Sequence, residues 1–204
     1  MAYDYAGSWD SKAGHQSNLY PSQHDPASTP FSTSVALEYY KSRGVPASKI
    51  VLGMPLYGRA FEATGGPGKP FSGTGQGSWE QGVWDYKSLP HEGSKESIDH
   101  HIGASWSYNA EKRLMVSYDT IDMVKTKAEY VMREGLGGTM WWESSGDKQG
   151  HDSIIGKVHP LFVSSPSGAD TKMQVVHELG GLDRTQNSLS YPESKYNNLR
   201  NGFP

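Results

Sequence analysis

The sequence predicts an α/β fold, a parallel sheet built from strand–helix units and interrupted by a small α+β excursion. Short apolar runs at Met1–Gly7, Lys49–Tyr57 and Gly138–Glu143 are followed by segments with helical spacing, directly in two cases and after the excursion in the other. That alternation yields parallel strands. Between the second run and its helix, about residues 62–118, the pattern is that of a hairpin instead. The composition suits a packed domain: 204 residues, 35% of them in the apolar set, with a formal charge of −3.

Composition also excludes function classes. No apolar run approaches the ~20 residues of a membrane-spanning helix. The chain does not open on a basic segment followed by an apolar one, so no signal peptide is expected. With 19 basic and 22 acidic groups and no basic cluster, neither nucleic acid nor a membrane is an expected partner. The lack of cysteine excludes a disulfide scaffold and thiol catalysis. What stands out is aromatic and flexible: 6 Trp, 12 Tyr, 5 Phe and 24 Gly.

Taken in order, Met1–Gly7 reads as the first strand and Pro21–Pro30, with its three prolines, as a loop. Ser32–Arg43 reads as a helix capped by Ser or Thr and stopped by Gly44, with Ala36, Tyr39, Tyr40 and Arg43 on one face. Lys49–Tyr57 is an apolar run of the kind buried in a parallel sheet. Phe61–Gly77 is a Gly/Pro-rich loop, and Ala104–Tyr118 alternates across a turn at Asn109–Lys112 as a hairpin does. A helix capped by Asp119 or Thr120 carries Ile121, Val124, Ala128 and Val131 at helical spacing and ends at Gly135. Gly138–Glu143 is the last strand and Asp152–Phe162 a short helix. Ser165–Pro204 is polar and turn-rich, expected to wrap the domain or stay disordered.

A closed (β/α)8 barrel takes ~250 residues, roughly 30 per unit. Without the excursion and the tail only three units remain here. The expectation is therefore a small open sheet or a portion of a larger barrel.

Four motifs sharpen the choice: Met-Ala-Tyr-Asp at Met1–Asp4, Gly-Met-Pro-Leu-Tyr-Gly-Arg at Gly53–Arg59, Trp-Glu-Gln-Gly-Val-Trp-Asp-Tyr at Trp79–Tyr86, and Gly-Gly-Thr-Met-Trp-Trp-Glu at Gly137–Glu143. In this order they resemble the C-terminal half of glycoside hydrolase family 18 chitinases, most nearly the fungal secreted enzymes. The resemblance covers about residues 1–162 and continues in the tail. It implies a partial (β/α)8 TIM barrel comprising the last three βα units, with an α+β insertion domain. Residues 1–61 would hold the family's sixth and seventh strands, 62–118 the insertion, 119–163 the eighth strand and its flanking helices, and 164–204 a C-terminal tail.

The resemblance further implies hydrolysis of β-1,4-linked N-acetylglucosamine in which the sugar's own acetamido group attacks the anomeric carbon, outside the two-carboxylate scheme. Tyr3 and Asp4 match the positions that grip and stabilise that group, the catalytic part of the site. Met1 would line the pocket, Trp142 would be the platform under the sugar, and Tyr57, Arg59 and Glu80 would bind sugar hydroxyls, Arg59 and Glu80 otherwise forming an ion pair. Since adjacent strand residues point oppositely, Trp141 is expected in the core or at an interface. At least two of Trp79, Trp84 and Trp106 are expected in the core of the insertion. Chitin or chitooligosaccharides would be the ligand, with no metal or cofactor, an extracellular location, and a monomer at full length.

One departure is severe. The family's acid motif, Asp-x-x-Asp-x-Asp-x-Glu, occurs nowhere in this chain; the nearest window, from Asp119 through Asp122, has Val124 and Thr126 where Asp and Glu are required. A general acid contributes ~10²–10⁴-fold, so the chain alone is expected to be inactive. The alternative is a chitinase-like lectin that keeps the aromatic cleft without the acid; a third reading is an independent open-sheet domain. Other apparent motifs fail. Adjacent His100 and His101 diverge, His91-Glu92 lacks a second His at helical spacing, and Gly73, Gly75 and Gly77 lack the strand, helix and Lys-Ser/Thr of a phosphate loop, which leaves a flexible loop. No Asn begins a glycosylation sequon.

Overall fold

The computed structural model describes residues 1–163; the expected tail, from Ser165 onward, lies outside the described residues. Two sheets share the chain. Val51–Pro55 (β1) and Gly138–Trp142 (β7) pair in parallel, Val51 opposite Gly138 and Pro55 opposite Trp142. Tyr57–Phe61 (β2), Val83–Asp85 (β3), Lys95–Asp99 (β4), Ala104–Asn109 (β5) and Leu114–Ser117 (β6) form an antiparallel sheet in the order β3-β2-β6-β5-β4. The β5–β6 pair is the expected hairpin, with Asn109 opposite Leu114 and the Asn109 Oδ1 accepting from the Lys112 amide at 2.8 Å.

The run Lys49–Tyr57, expected as one strand, is divided. At Leu56 the chain leaves the parallel pair and enters the antiparallel sheet: its amide donates to the Trp142 carbonyl (2.7 Å) and its carbonyl accepts from the Tyr86 amide (2.9 Å). Apolar content hides this junction, because both neighbours are buried and Leu56 itself is fully buried. The antiparallel sheet thus draws on Tyr57–Phe61 as well as residues beyond 62. Met1–Gly7 is not a strand. It runs extended beside β1 with one bond, Ala2 N–H to the Gly53 carbonyl (2.9 Å), and turns away at Asp4, whose φ is +62°. One hydrogen bond cannot establish a ladder.

Three α-helices are present among the described residues. Thr33–Ser42 (α1) buries Thr33 and Leu37, whereas Ala36, Tyr39, Tyr40 and Arg43, read as sharing one face, are exposed. On that exposed face Tyr39 meets Tyr40 edge-on and the Arg43 guanidinium lies over the Tyr39 ring. Ile121–Arg133 (α2) is capped by Thr120, which accepts from the Met123 amide, and buries Val124, Ala128 and Val131 as the spacing requires. Ile154–Val163 (α3) starts after Asp152; the Asp147 carboxylate accepts from the Ile154 and Ile155 amides and closes its first turn.

The main core lies between the parallel pair and α2–α3, with Leu52, Met54, Leu56, Val124, Ala128, Ile154 and Val158, and continues under the antiparallel sheet through Ala60, Leu89 and Val116. Phe61 and Met115 on the other face of that sheet pack with Ala6 and Ala13. Asp119, the other expected cap, instead forms a buried pair with Lys127 of α2 at 2.7 Å. Among the described residues no helix is long and apolar enough to cross a membrane.

Candidate active site

The ends of both sheets meet at a hollow of about 230 Å³ lined by Asp4, Tyr57, Arg59, Trp79, Glu80, Val83, Asp85, Trp142 and Glu143, with Leu56 and Gly146 at its back. Strand alternation selects these side chains. Tyr57 and Arg59 share one face of β2, and Val83 and Asp85 share one face of β3 while Trp84 takes the other. At the end of β7, Trp141 packs into the main core and Trp142 is 56% exposed in the hollow. Gly146 lets the chain close the back: a Cβ there would meet the Leu56 carbonyl at 2.5 Å.

Asp4 organises the polar side. Its Oδ1 accepts from the Tyr57 hydroxyl at 2.5 Å and from Arg59 Nε at 2.7 Å; Oδ2 carries no bond among the described residues. Burial, then the bond to Asp4, raises the Tyr57 phenol well above its ordinary range, so it stays a protonated donor. Burial alone would lower Arg59, but the bond and charge of Asp4 outweigh it and the guanidinium is held charged. Arg59 is also flanked by rings, its guanidinium carbon 4.7 Å from the Trp9 centroid and 5.8 Å from that of Tyr57. The hollow therefore combines an exposed indole, an anchored carboxylate with one open oxygen, and a phenol and guanidinium fixed in place. Such a set offers a flat apolar face together with fixed hydrogen-bond donors and an acceptor.

The structure brings Asp4, Tyr57, Arg59, Glu80 and Trp142 to the lining of one hollow. Two residues fall elsewhere. Tyr3 is buried behind the hollow, its ring edge-on to Tyr57 at 6.0 Å and its hydroxyl enclosed without a partner among the described residues. Met1 is 84% exposed and lies along β1 at Gly53 rather than in the hollow. The reversal at Asp4 separates its side chain from those before it. The anticipated Arg59–Glu80 pair is replaced by Arg59–Asp4, since Asp4 is within bonding distance and Glu80 acts on Arg59 only through longer-range charge. Of the insertion tryptophans, Trp84 and Trp106 pack against cores and Trp79 is 81% exposed, its indole N–H bonded to Asp85 Oδ2 at 3.1 Å.

Sequence reasoning missed Trp9 and Asp85. Trp9 follows Tyr3–Asp4 closely, and an Arg elsewhere in the motif set was the available signal for a stacked partner. Asp85 sits inside the Trp79–Tyr86 motif, but only the strand register shows that it faces the same way as Tyr57, its partner across the β2–β3 ladder. Among the described residues no cluster of His, Asp or Glu forms a cation site.

Comparison with known proteins decides the family. Residues 1–147 match the model of glycosyl hydrolases family 18. The chain belongs to that family. It is 45% identical over 203 residues to Chitinase 1 of Aphanocladium album and 48% identical over 200 residues to Endochitinase 1 of Metarhizium robertsii. It covers 44% and 43% of those proteins, while they cover 100% and 98% of it. The chain thus spans less than half the length of the curated relatives it matches. Among solved structures, the catalytic domain of psychrophilic chitinase B from Arthrobacter TAD20 aligns with TM-score 0.74 and 33% identity, over 84% of this chain and 39% of that one. A family 18 chitinase from Cycas revoluta, solved with (GlcNAc)4, aligns with TM-score 0.64 and 27% identity, over 79% and 44%. These likenesses make the fold α/β, of the TIM-barrel type.

Proposed function

We propose that this family 18 chain forms the part of a chitinase cleft that holds the N-acetyl group of chitin during substrate-assisted, retaining hydrolysis of β-1,4-N-acetylglucosamine links. The observation that carries the reading is Asp4, bonded through Oδ1 to Tyr57 and Arg59 with Oδ2 unbonded among the described residues, in a hollow that exposed Trp142 also lines. The relatives support it: two fungal relatives are chitinases, and the Cycas revoluta enzyme was solved with a GlcNAc oligomer.

In this mechanism the acetamido carbonyl oxygen attacks the anomeric carbon, the glycosidic C–O bond breaks, and the leaving oxygen takes a proton from an acid. The cyclic oxazolinium that forms is positive, and water reopens it with retention. Asp4 Oδ2 accepts from the acetamido N–H and stabilises that positive charge, a preorganised contribution because Oδ1 is already fixed. Tyr3, edge-on to Tyr57 behind the hollow, backs the ring of that phenol. Trp142 supports the sugar ring, and Tyr57, Arg59 and Glu80 bind around it.

The parallel pair β1–β7 and its helices would be an arc of a (β/α)8 barrel and the antiparallel sheet its insertion domain, working in an extracellular, monomeric protein. The acid is not encoded in these residues. The chain by itself is therefore proposed to bind chitooligosaccharides without cleaving them. Incubation of the intact chain with chitotetraose, followed by calorimetry and product analysis, tests both points. Binding without shortened products is expected. Turnover that disappears in Trp142→Ala would overturn the proposed inactivity, and no binding at all would overturn the substrate reading.

A further inference from the structure

A second, larger hollow of about 830 Å³ opens on the antiparallel sheet, lined by Glu62, Thr74, Gln76, Gln81, Trp84 and His91, with Glu92, Lys112 and the Gly73 and Gly75 backbone completing it. It shares no lining residue with the cleft. Alternation along β3 fixes their relation: Val83 and Asp85 face the cleft, and Trp84 between them faces the second hollow. The two lie on opposite faces of one edge strand. The turn 76–81 joins them, with Gln76 and Gln81 in one and Trp79 and Glu80 in the other.

The wall is built, contrary to the flexible loop expected at Gly73–Gly77. The Glu62 amide donates to the Gly73 carbonyl (2.9 Å), the Ser72 amide to the Glu62 carbonyl (2.9 Å), and the Gly82 amide to the Gln76 carbonyl (3.1 Å). Gly75 has φ +69°, and a Cβ there would stand 2.2 Å from Glu62 Oε1, so glycine lets the loop close onto that carboxylate. At the base, the Trp84 and His91 rings meet at 4.4 Å and 80°, and His91 Nε2 has no partner among the described residues. Burial, then Lys112, lowers the His91 imidazole below its ordinary value, so it is neutral. Asn109 is spent on the wall itself, bonding the Lys112 amide and the Glu92 carbonyl.

We propose that this hollow is a second saccharide site, taking a neutral oligosaccharide on the face of β3 opposite the cleft. Its chemistry matches a polyol. Gln76 and Gln81 each offer a donor and an acceptor, Glu62 and Glu92 accept from hydroxyls, Thr74 does either, and Trp84 supplies an apolar ring for a sugar's C–H face. One cation against two carboxylates gives no basis for an anion. The site's position across a single turn suits a polymer whose other stretch occupies the cleft. That its sugar is chitin-derived rests on the function proposed above; that it binds a saccharide does not.

The test is an NMR titration of the intact chain with chitotetraose and, separately, cellotetraose, reading the Trp84 and Trp142 indole N–H signals and the Gly73 and Gly75 amides. Chitotetraose is expected to shift Trp84, Gly73 and Gly75, and to do so still in Trp142→Ala. In Gln76→Ala/Gln81→Ala, two exposed positions whose loss leaves the fold intact, affinity at Trp84 should fall about tenfold while Trp142 responds as before. Shifts confined to Trp142, or none at Trp84 with either sugar, would overturn the second site. A response at Trp84 to cellotetraose but not to chitotetraose would uphold the site and overturn the chitin reading.

Discussion

Two aspartates hold cations at the same 2.7 Å and do opposite things. Asp119 and Lys127 are 1% and 2% exposed, and Lys127 also donates to the Ser17 carbonyl and hydroxyl. Every donor of the ammonium is used inside the chain, which is the condition under which a charge survives burial. Burial lowers the Lys127 ammonium below its ordinary value, against the pull of Asp119. Asp4 and Arg59, by contrast, are 40% and 12% exposed, at the rim of a hollow, and one Asp4 oxygen is left open. Distance alone does not separate a structural pair from a binding group. What does is whether the hydrogen-bonding capacity is closed or open to a ligand.

The contrast breaks most forcefully at the buried pair. Lys127→Met leaves the buried Asp119 carboxylate with only the Ser17 hydroxyl as a partner among the described residues, and should cost about 3–5 kcal/mol of unfolding free energy in urea. Replacing both, with Asp119→Leu alongside, should recover most of that loss. If the single variant unfolds like the parent, the pair is not structural.

His15 sharpens the same point through pH. It is 2% exposed, stacks edge-on to Trp106, and burial pushes its imidazole down from 6.5 to about 4. The folded chain thus resists a proton that the unfolded chain accepts, and stability should decline as pH falls from 6.5 towards 4, by about 3 kcal/mol over the window. Urea midpoints of His15→Gln should lack that slope; an equal slope in both would place the titrating group elsewhere.

On the open side, effects should move from stability to binding. Trp142→Ala removes an exposed ring, so unfolding should change by less than about 0.5 kcal/mol. Chitotetraose affinity in the cleft should meanwhile drop about tenfold, the loss of one aromatic platform. Asp4→Asn is expected to cost under about 1 kcal/mol of unfolding free energy in urea, far less than loss of the buried pair, because this pair is part-exposed.

Sequence and structure agree where periodicity is strong. The β5–β6 hairpin and the buried face of α2 were legible because alternation and helical spacing both repeat over several turns. The opposed Trp141 and Trp142 needed only the geometry of a strand. The break at Leu56 was not legible, because one apolar run serves two sheets. Nor was Lys127 in the core of α2: a lysine at helical spacing reads as surface until Asp119 and Ser17 are seen to meet it. Tyr3 and Met1 lie off the lining of the hollow for a local reason, the left-handed backbone at Asp4, which no composition or spacing announces.

The account depends on Asp4 recognising an acetamido group. Its most direct test compares chitotetraose with cellotetraose, which lacks that group, read at the Trp142 indole signal of the intact chain. The parent should prefer chitotetraose by about tenfold or more, and Asp4→Ala should abolish the preference while Trp142 still responds to both. Equal affinity for the two sugars in the parent, or a preference that survives Asp4→Ala, would contradict it.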